Sequence, residues 1–102
     1  MQVQLTVFAN QQLKEIHNYY SATVSVKVAS EIINRIFDSI ETLERLPTIG
    51  TTENSLKELG YRHRFIVSGN YKIIFCEIEG VIFVTDIFDA RQDPSKILKR
   101  NK

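Results

Sequence analysis

The chain has 102 residues, 43% of them hydrophobic, with 13 Lys/Arg against 12 Asp/Glu and a net charge of +1. That length suits one domain spanning residues 1–102 and leaves little room for a second. No apolar run is long enough to span a bilayer, and the single cysteine, Cys76, excludes an internal disulfide framework. The charge is uneven: residues 1–58 carry −2 and residues 59–102 carry +3, so the second half is the side that would attract nucleic acid or an acidic partner.

Val3, Leu5 and Val7 alternate with Gln2, Gln4 and Thr6, the pattern of a strand with one buried face. A secretory leader would need a charged start and a continuous apolar block, so this segment reads as a strand; the single cysteine, inside an apolar run, points to a reducing cytoplasm. Asn10 is the expected cap of a first helix with Leu13, Ile16, His17 and Tyr20 on one face, broken over Tyr19–Thr23. A second helix carries Val26, Ala29, Ile33, Ile36, Ile40 and Leu43, widened by Ile32 and Phe37, and is closed by Pro47 and Gly50. Together they make an αα-hairpin. Thr48 to Ser55 is polar and reads as loop.

The sheet is expected to resume near Leu59. Period-two alternation puts Arg62, Arg64 and Ile66 on one face and Tyr61, His63, Phe65 and Val67 on the other. Ser68-Gly69-Asn70 and Glu79-Gly80 are hairpin turns. Between them Tyr71–Ile78 is apolar on both faces, which predicts a central strand covered on both sides. The helix hairpin covers one side, and the C-terminal segment or a partner chain covers part of the other. Val81–Phe88 is the last strand. Pro94 opens a short basic helix, with Asp93 as its cap.

Four cations follow the meander: Arg62, Arg64, Lys72 and Arg91. The first three are expected to share the face opposite the helices, where they would bind an anion such as phosphate. Cleaving RNA through its 2′-hydroxyl also needs an acid and a base. His63 has the right chemistry, but alternation points it away from the arginines, so a structural role is the stronger expectation; His17 reads as a core residue. Asp86 is the expected ion-pair partner of a strand arginine, and Asp89 and Asp93 fit turn and cap roles. Two isolated histidines and one cysteine have no metal-ligand spacing, and no cofactor motif is present.

The stretches NYKIIF at 70–75 and IFVTDIFDARQDP at 82–94, with the LP…G break at 46–50, resemble the RelE/ParE family of bacterial type II toxins. The resemblance covers nearly the whole chain and is carried by order, spacing and length. It implies an α+β fold: N-terminal strand, αα-hairpin, three-stranded antiparallel meander and short C-terminal helix. It also implies a cognate antitoxin as partner, and a homodimer or toxin–antitoxin hetero-oligomer as assembly. In the ribonuclease branch, Arg62, Arg64, Lys72 and Arg91, with His63 as proton carrier, would act on messenger RNA in the ribosome. That branch carries a Tyr or His near its C-terminus, and none follows Arg91 here. The ARQDP ending is similar to the ParE-like branch, which implies DNA gyrase as target and makes Arg62, Arg64, Lys72 and Arg91 binding residues rather than catalytic ones. A member that binds only its antitoxin is the third reading.

Overall fold

The computed structural model describes residues 1–102. In chain order it contains β1 (Gln2–Leu5), α1 (Val7–Thr23), α2 (Val26–Arg45), β2 (Thr51–Thr52), a 3₁₀ helix (Asn54–Leu59), β3 (Arg64–Ser68), β4 (Tyr71–Ile78), β5 (Val81–Asp89) and α3 (Ser95–Asn101). The five strands form one sheet in the order β1-β5-β4-β3-β2. β1 runs parallel to β5, and the other neighbours are antiparallel. The expected α+β architecture is present, with β1 and the short β2 flanking the meander.

The first helix begins earlier than its sequence suggests. Thr6, not Asn10, is the cap: its Oγ1 accepts from the Ala9 amide at 3.1 Å. Val7 is therefore the first helical residue and points to solvent, not the end of a strand. A threonine at the cap outweighs the strand propensity of one valine. The helix also continues through Tyr19–Thr23, because Tyr20 packs on the core while Tyr19 stays exposed. Its end is closed by the Val24 and Ser25 amides, both bonded to the Tyr20 carbonyl.

The second helix follows its stripe. Ser25 caps it by accepting from the Val28 amide, and Ala29, Ile36, Ile40 and Leu43 are buried. Phe37 and Val26 instead remain exposed, so the buried face is narrower than the hydrophobic stripe. Ala9, Leu13, Ile36, Ile40 and Leu43 pack on Tyr71, Ile73, Phe75, Ile82, Val84 and Ile87, which make up one face of the sheet.

A smaller core covers the other face. Leu56 from the 3₁₀ helix and Ile97 from α3 pack on Ile74 and Phe88, joined by Leu59, Phe65 and Leu98. The chain thus covers its own central strand on both sides. The segment read as loop, Thr48–Ser55, supplies β2 and the start of the 3₁₀ helix, and β3 starts at Arg64 rather than near Leu59. Both hairpin turns form: Ser68 pairs with Tyr71, and Ile78 with Val81. Glu79 and Gly80 both have positive φ, at 49° and 80°, as a two-residue turn matched to strand twist requires.

One irregularity matters for the chemistry. Ile74 pairs with Asp86 but Phe75 pairs with Val84, so Thr85 is an extra residue on β5. This bulge reverses the alternation. Ile82 and Val84 lie in the helix-side core; after the bulge Ile87 remains there, while Phe88 lies in the opposite core. Asp86 is carried to the α3 side. At the C-terminus Asp93 Oδ1 accepts from the Ser95 amide at 3.0 Å, as a capping carboxylate does, and Pro94 sits in helical conformation immediately before the helix.

Candidate functional site

Arg64 and Lys72 lie on opposite faces of the sheet, which corrects the expected shared cationic patch. The β3–β4 register pairs Arg64 with Phe75 and Val67 with Lys72. The two-residue turn at Gly69-Asn70 sets this parity, so Lys72 shares its face with Phe65 and Val67, not with Arg64 and Ile66. Arg64 lies on the helix-pair side. Its guanidinium sits 5.1 Å from the Phe75 ring centroid. It donates through Nη1 to the Thr48 carbonyl at 2.9 Å and through Nη2 to the Pro47 carbonyl. The arginine thereby ties the segment after α2 onto the sheet.

Lys72 faces the other way. Its Nζ lies 4.2 Å from the Phe65 ring centroid and 2.9 Å from Glu53 Oε1. Glu53 is only 6% exposed and also accepts from Ser55 Oγ at 2.7 Å. Burial pushes its pKa up, but the hydrogen bonds from Lys72 and Ser55 outweigh it, and the carboxyl lies below its ordinary value. Glu53 was not singled out by sequence. An acidic residue in a polar segment carries no signal that a lysine two strands away will meet it.

His63 precedes β3 and is 6% exposed. Burial lowers its pKa below the ordinary histidine value, with the Tyr61 carbonyl and the Glu53 carboxylate partly offsetting it. The ring is therefore neutral at pH 7, set edge-on to Tyr61 at 6.2 Å. Arg62 is exposed and belongs to no strand. It borders two adjoining hollows. One, of about 350 Å³, is lined by Thr52, Glu53, Asn54, Lys57, Tyr61, Arg62, His63 and Arg64. The other, of about 470 Å³, extends past Gly60 and Tyr61 towards Glu77.

Arg91 stands apart from all of these. Its Nε and Nη2 grip the two Asp89 oxygens at 3.0 and 2.8 Å, and Nη2 also reaches the Tyr20 hydroxyl at 3.2 Å. The Tyr20 and Tyr71 hydroxyls are 3.4 Å apart. Hydrogen bonds from Tyr71 and Arg91 lower the Tyr20 pKa, while burial raises that of Tyr71. Asp89 lies below the usual carboxylate range because Arg91 holds it ionised. Arg91 and Asp89 border a hollow of about 330 Å³ between α1 and the end of β5, with Gln12, Glu15 and Tyr19 on its helix side.

Asp86 pairs with α3 rather than with a strand arginine. It is 0% exposed, 2.7 Å from Arg100 Nη2 and 2.9 Å from Asn101 Nδ2. Burial pushes its pKa up, and the Arg100 and Asn101 contacts offset this only in part. Arg100 lies 5.3 Å from the ring centroids of both Phe8 and Phe88. The basic tail is therefore partly structural. His17, read as a core residue, is half-buried with Nδ1 3.3 Å from Ser21 Oγ. No three His, Cys, Asp or Glu side chains converge as a metal site requires, and no helix is long and apolar enough to cross a membrane.

The five residues expected to act together thus do not all meet in one place. Arg62 and His63 border one hollow with Arg64, Lys72 is on the opposite sheet face from Arg64, and Arg91 borders another hollow.

Comparison with known proteins agrees with the fold. A structure described as the chromosomal ParDE TA system from P. aeruginosa superposes with a TM-score of 0.73 at 16% identity, covering 87% of this chain and 95% of that one. Among curated protein sequences none matches at a significant level. Residues 3–94 match the family described as the ParE toxin of the type II toxin-antitoxin system, parDE. With nearly its whole length matched, the chain belongs to the ParE toxin family of type II toxin–antitoxin systems.

Proposed function

We propose that this toxin arrests growth by binding its target and not by cutting RNA, that the target is DNA gyrase, and that a cognate antitoxin neutralises it. The observation that carries the reading is that the candidate ribonuclease groups do not all converge: Arg62, His63 and Arg64 border one hollow, while Lys72 lies on the sheet face opposite Arg64 and Arg91 borders a different hollow. Arg64 is engaged with the Pro47 and Thr48 carbonyls, Lys72 with Glu53, and Arg91 with Asp89. His63 is buried, and its Nδ1 has no hydrogen-bond partner to orient the ring or relay a proton. Phosphoryl transfer needs cations and a proton carrier around one phosphate. Losing the proton carrier alone costs about two to four orders of magnitude in rate. A binding toxin needs only a surface that fits its target. The ARQDP ending, similar to the ParE-like branch, supports the same choice.

Inducing the chain in a bacterial host without an antitoxin should stop growth, and co-expressing the cognate antitoxin should restore it. Primer extension on messages from the arrested cells should then show no codon-specific cuts. Cuts in the ribosomal A site, abolished by His63→Ala or Arg62→Ala, would replace this reading with ribosome-dependent cleavage. Normal growth at high soluble expression in several hosts would remove the toxin reading altogether.

A further inference from the structure

We infer that the hollow between the 3₁₀ helix and the start of β3 is an anion site that takes a phosphoryl group, with Lys57 and Arg62 as its binding cations. The hollow measures about 350 Å³, at the small end of ligand sites. Seven of its eight lining residues are polar or charged, with three basic side chains, Lys57, Arg62 and Arg64, against one carboxylate, Glu53. That carboxylate is already neutralised from outside the hollow by Lys72 at 2.9 Å. The side chains bordering the hollow therefore carry an excess of positive charge.

The cations differ in what they are free to do. Arg64 directs Nη1 and Nη2 at the Pro47 and Thr48 carbonyls and contributes mainly its charge. Lys57 and Arg62 are exposed, and neither takes part in the chain's ion pairs, which join Lys72 to Glu53, Arg91 to Asp89 and Arg100 to Asp86. An arginine fork and a lysine ammonium bordering one hollow suit the tetrahedral oxygens of phosphate. Thr52 and Asn54 add neutral donors to the wall. His63 brings a buried ring whose Nδ1 makes no well-formed hydrogen bond. Tyr61, exposed at the rim, offers a flat face on which a nucleobase attached to that phosphate can stack. The hollow beside Arg91 carries Glu15 and Asp89 in its wall and has no such excess of positive charge.

The site does not depend on which macromolecule the toxin arrests, so its failure would leave the proposed function standing. The test is an amide and imidazole NMR titration of the full chain with inorganic phosphate, against sodium chloride at matched ionic strength. Saturable shifts should centre on Asn54, Lys57, Arg62 and His63. Lys57→Gln and Arg62→Gln should each weaken binding about tenfold or more. Lys14→Gln, which removes an exposed charge from α1, should leave binding unchanged. A 5′-mononucleotide and a dinucleotide with only an internal phosphodiester distinguish the source. Competition by the first alone identifies a terminal phosphate, and competition by both identifies a nucleic-acid backbone. Shifts that chloride reproduces, or that survive both substitutions in folded protein, would overturn the assignment.

Discussion

Replacing Arg64 with alanine should destabilise the protein substantially. An arginine projecting from a strand into solvent would contribute almost nothing to stability. Arg64 instead donates to two backbone carbonyls beyond the end of α2 and lies against the Phe75 ring. Because the freed carbonyls regain water, each hydrogen bond is worth about 1 kcal/mol, the value of an ordinary hydrogen bond and not of a buried charged one. The ring contact adds about 0.5–1 kcal/mol. The total is roughly 2–3 kcal/mol, which for a chain of this size is a drop in Tm of roughly 10–20 °C. Arg64→Lys keeps the charge but loses the two-pronged donor and should fall between wild type and alanine. Thermal and urea denaturation of the purified variants measure this directly. If Arg64→Ala melts within a degree or two of wild type, the tether from β3 to the segment after α2 is not a stabilising contact, and any loss of toxicity in that variant belongs to target binding.

The Gly50→Ala variant should be destabilised by more than about 1 kcal/mol in urea unfolding, because Gly50 has φ 108° and an added Cβ would lie 3.0 Å from the Phe65 carbonyl oxygen and 3.1 Å from Phe75 Cζ. Glu53 has a folded pKa below its ordinary 4.5, so the stability it contributes is complete above that value and is lost as pH falls through the folded one. Lys72→Met leaves the carboxylate buried without its cation, so this contribution to acid sensitivity should vanish or reverse when urea midpoints are compared between about pH 6 and pH 3. Arg100→Ala strands the buried Asp86 charge and should cost about 3–5 kcal/mol, whereas the double variant Asp86→Asn with Arg100→Met should recover much of the loss. Equal unfolding midpoints for the single and double variants would show that the pair does not act as a unit.

Much of the fold was legible because it rests on repeated local signals. The α2 stripe at Ala29, Ile36, Ile40 and Leu43 and the turns at Gly69-Asn70 and Glu79-Gly80 each repeat or concentrate one preference. The apolar character of β4 on both faces correctly required cover on both sides. What was not legible depends on single residues or distant partners. The start of α1 turned on Thr6 against Asn10, two residues of similar capping strength. β2 is only Thr51–Thr52, too short to show alternation. The bulge at Thr85 has no sequence mark, yet it decides which face Asp86 occupies and therefore that its partner is Arg100. The candidate site suffered most, since a patch of strand cations is only as good as the parity between strands. That parity was recoverable: a two-residue turn places Lys72 opposite Val67, which lies on the other face from Arg64. The engagement of Glu53 with Lys72, across a separation of 19 residues, was not.

The most direct test of the proposed mode of action is the supercoiling of relaxed plasmid by purified gyrase, with the purified toxin added in rising amounts. The account predicts that supercoiling stops as the toxin approaches and exceeds the enzyme, and that its cognate antitoxin restores it. Normal supercoiling at a large excess of folded toxin that still arrests growing cells would contradict it.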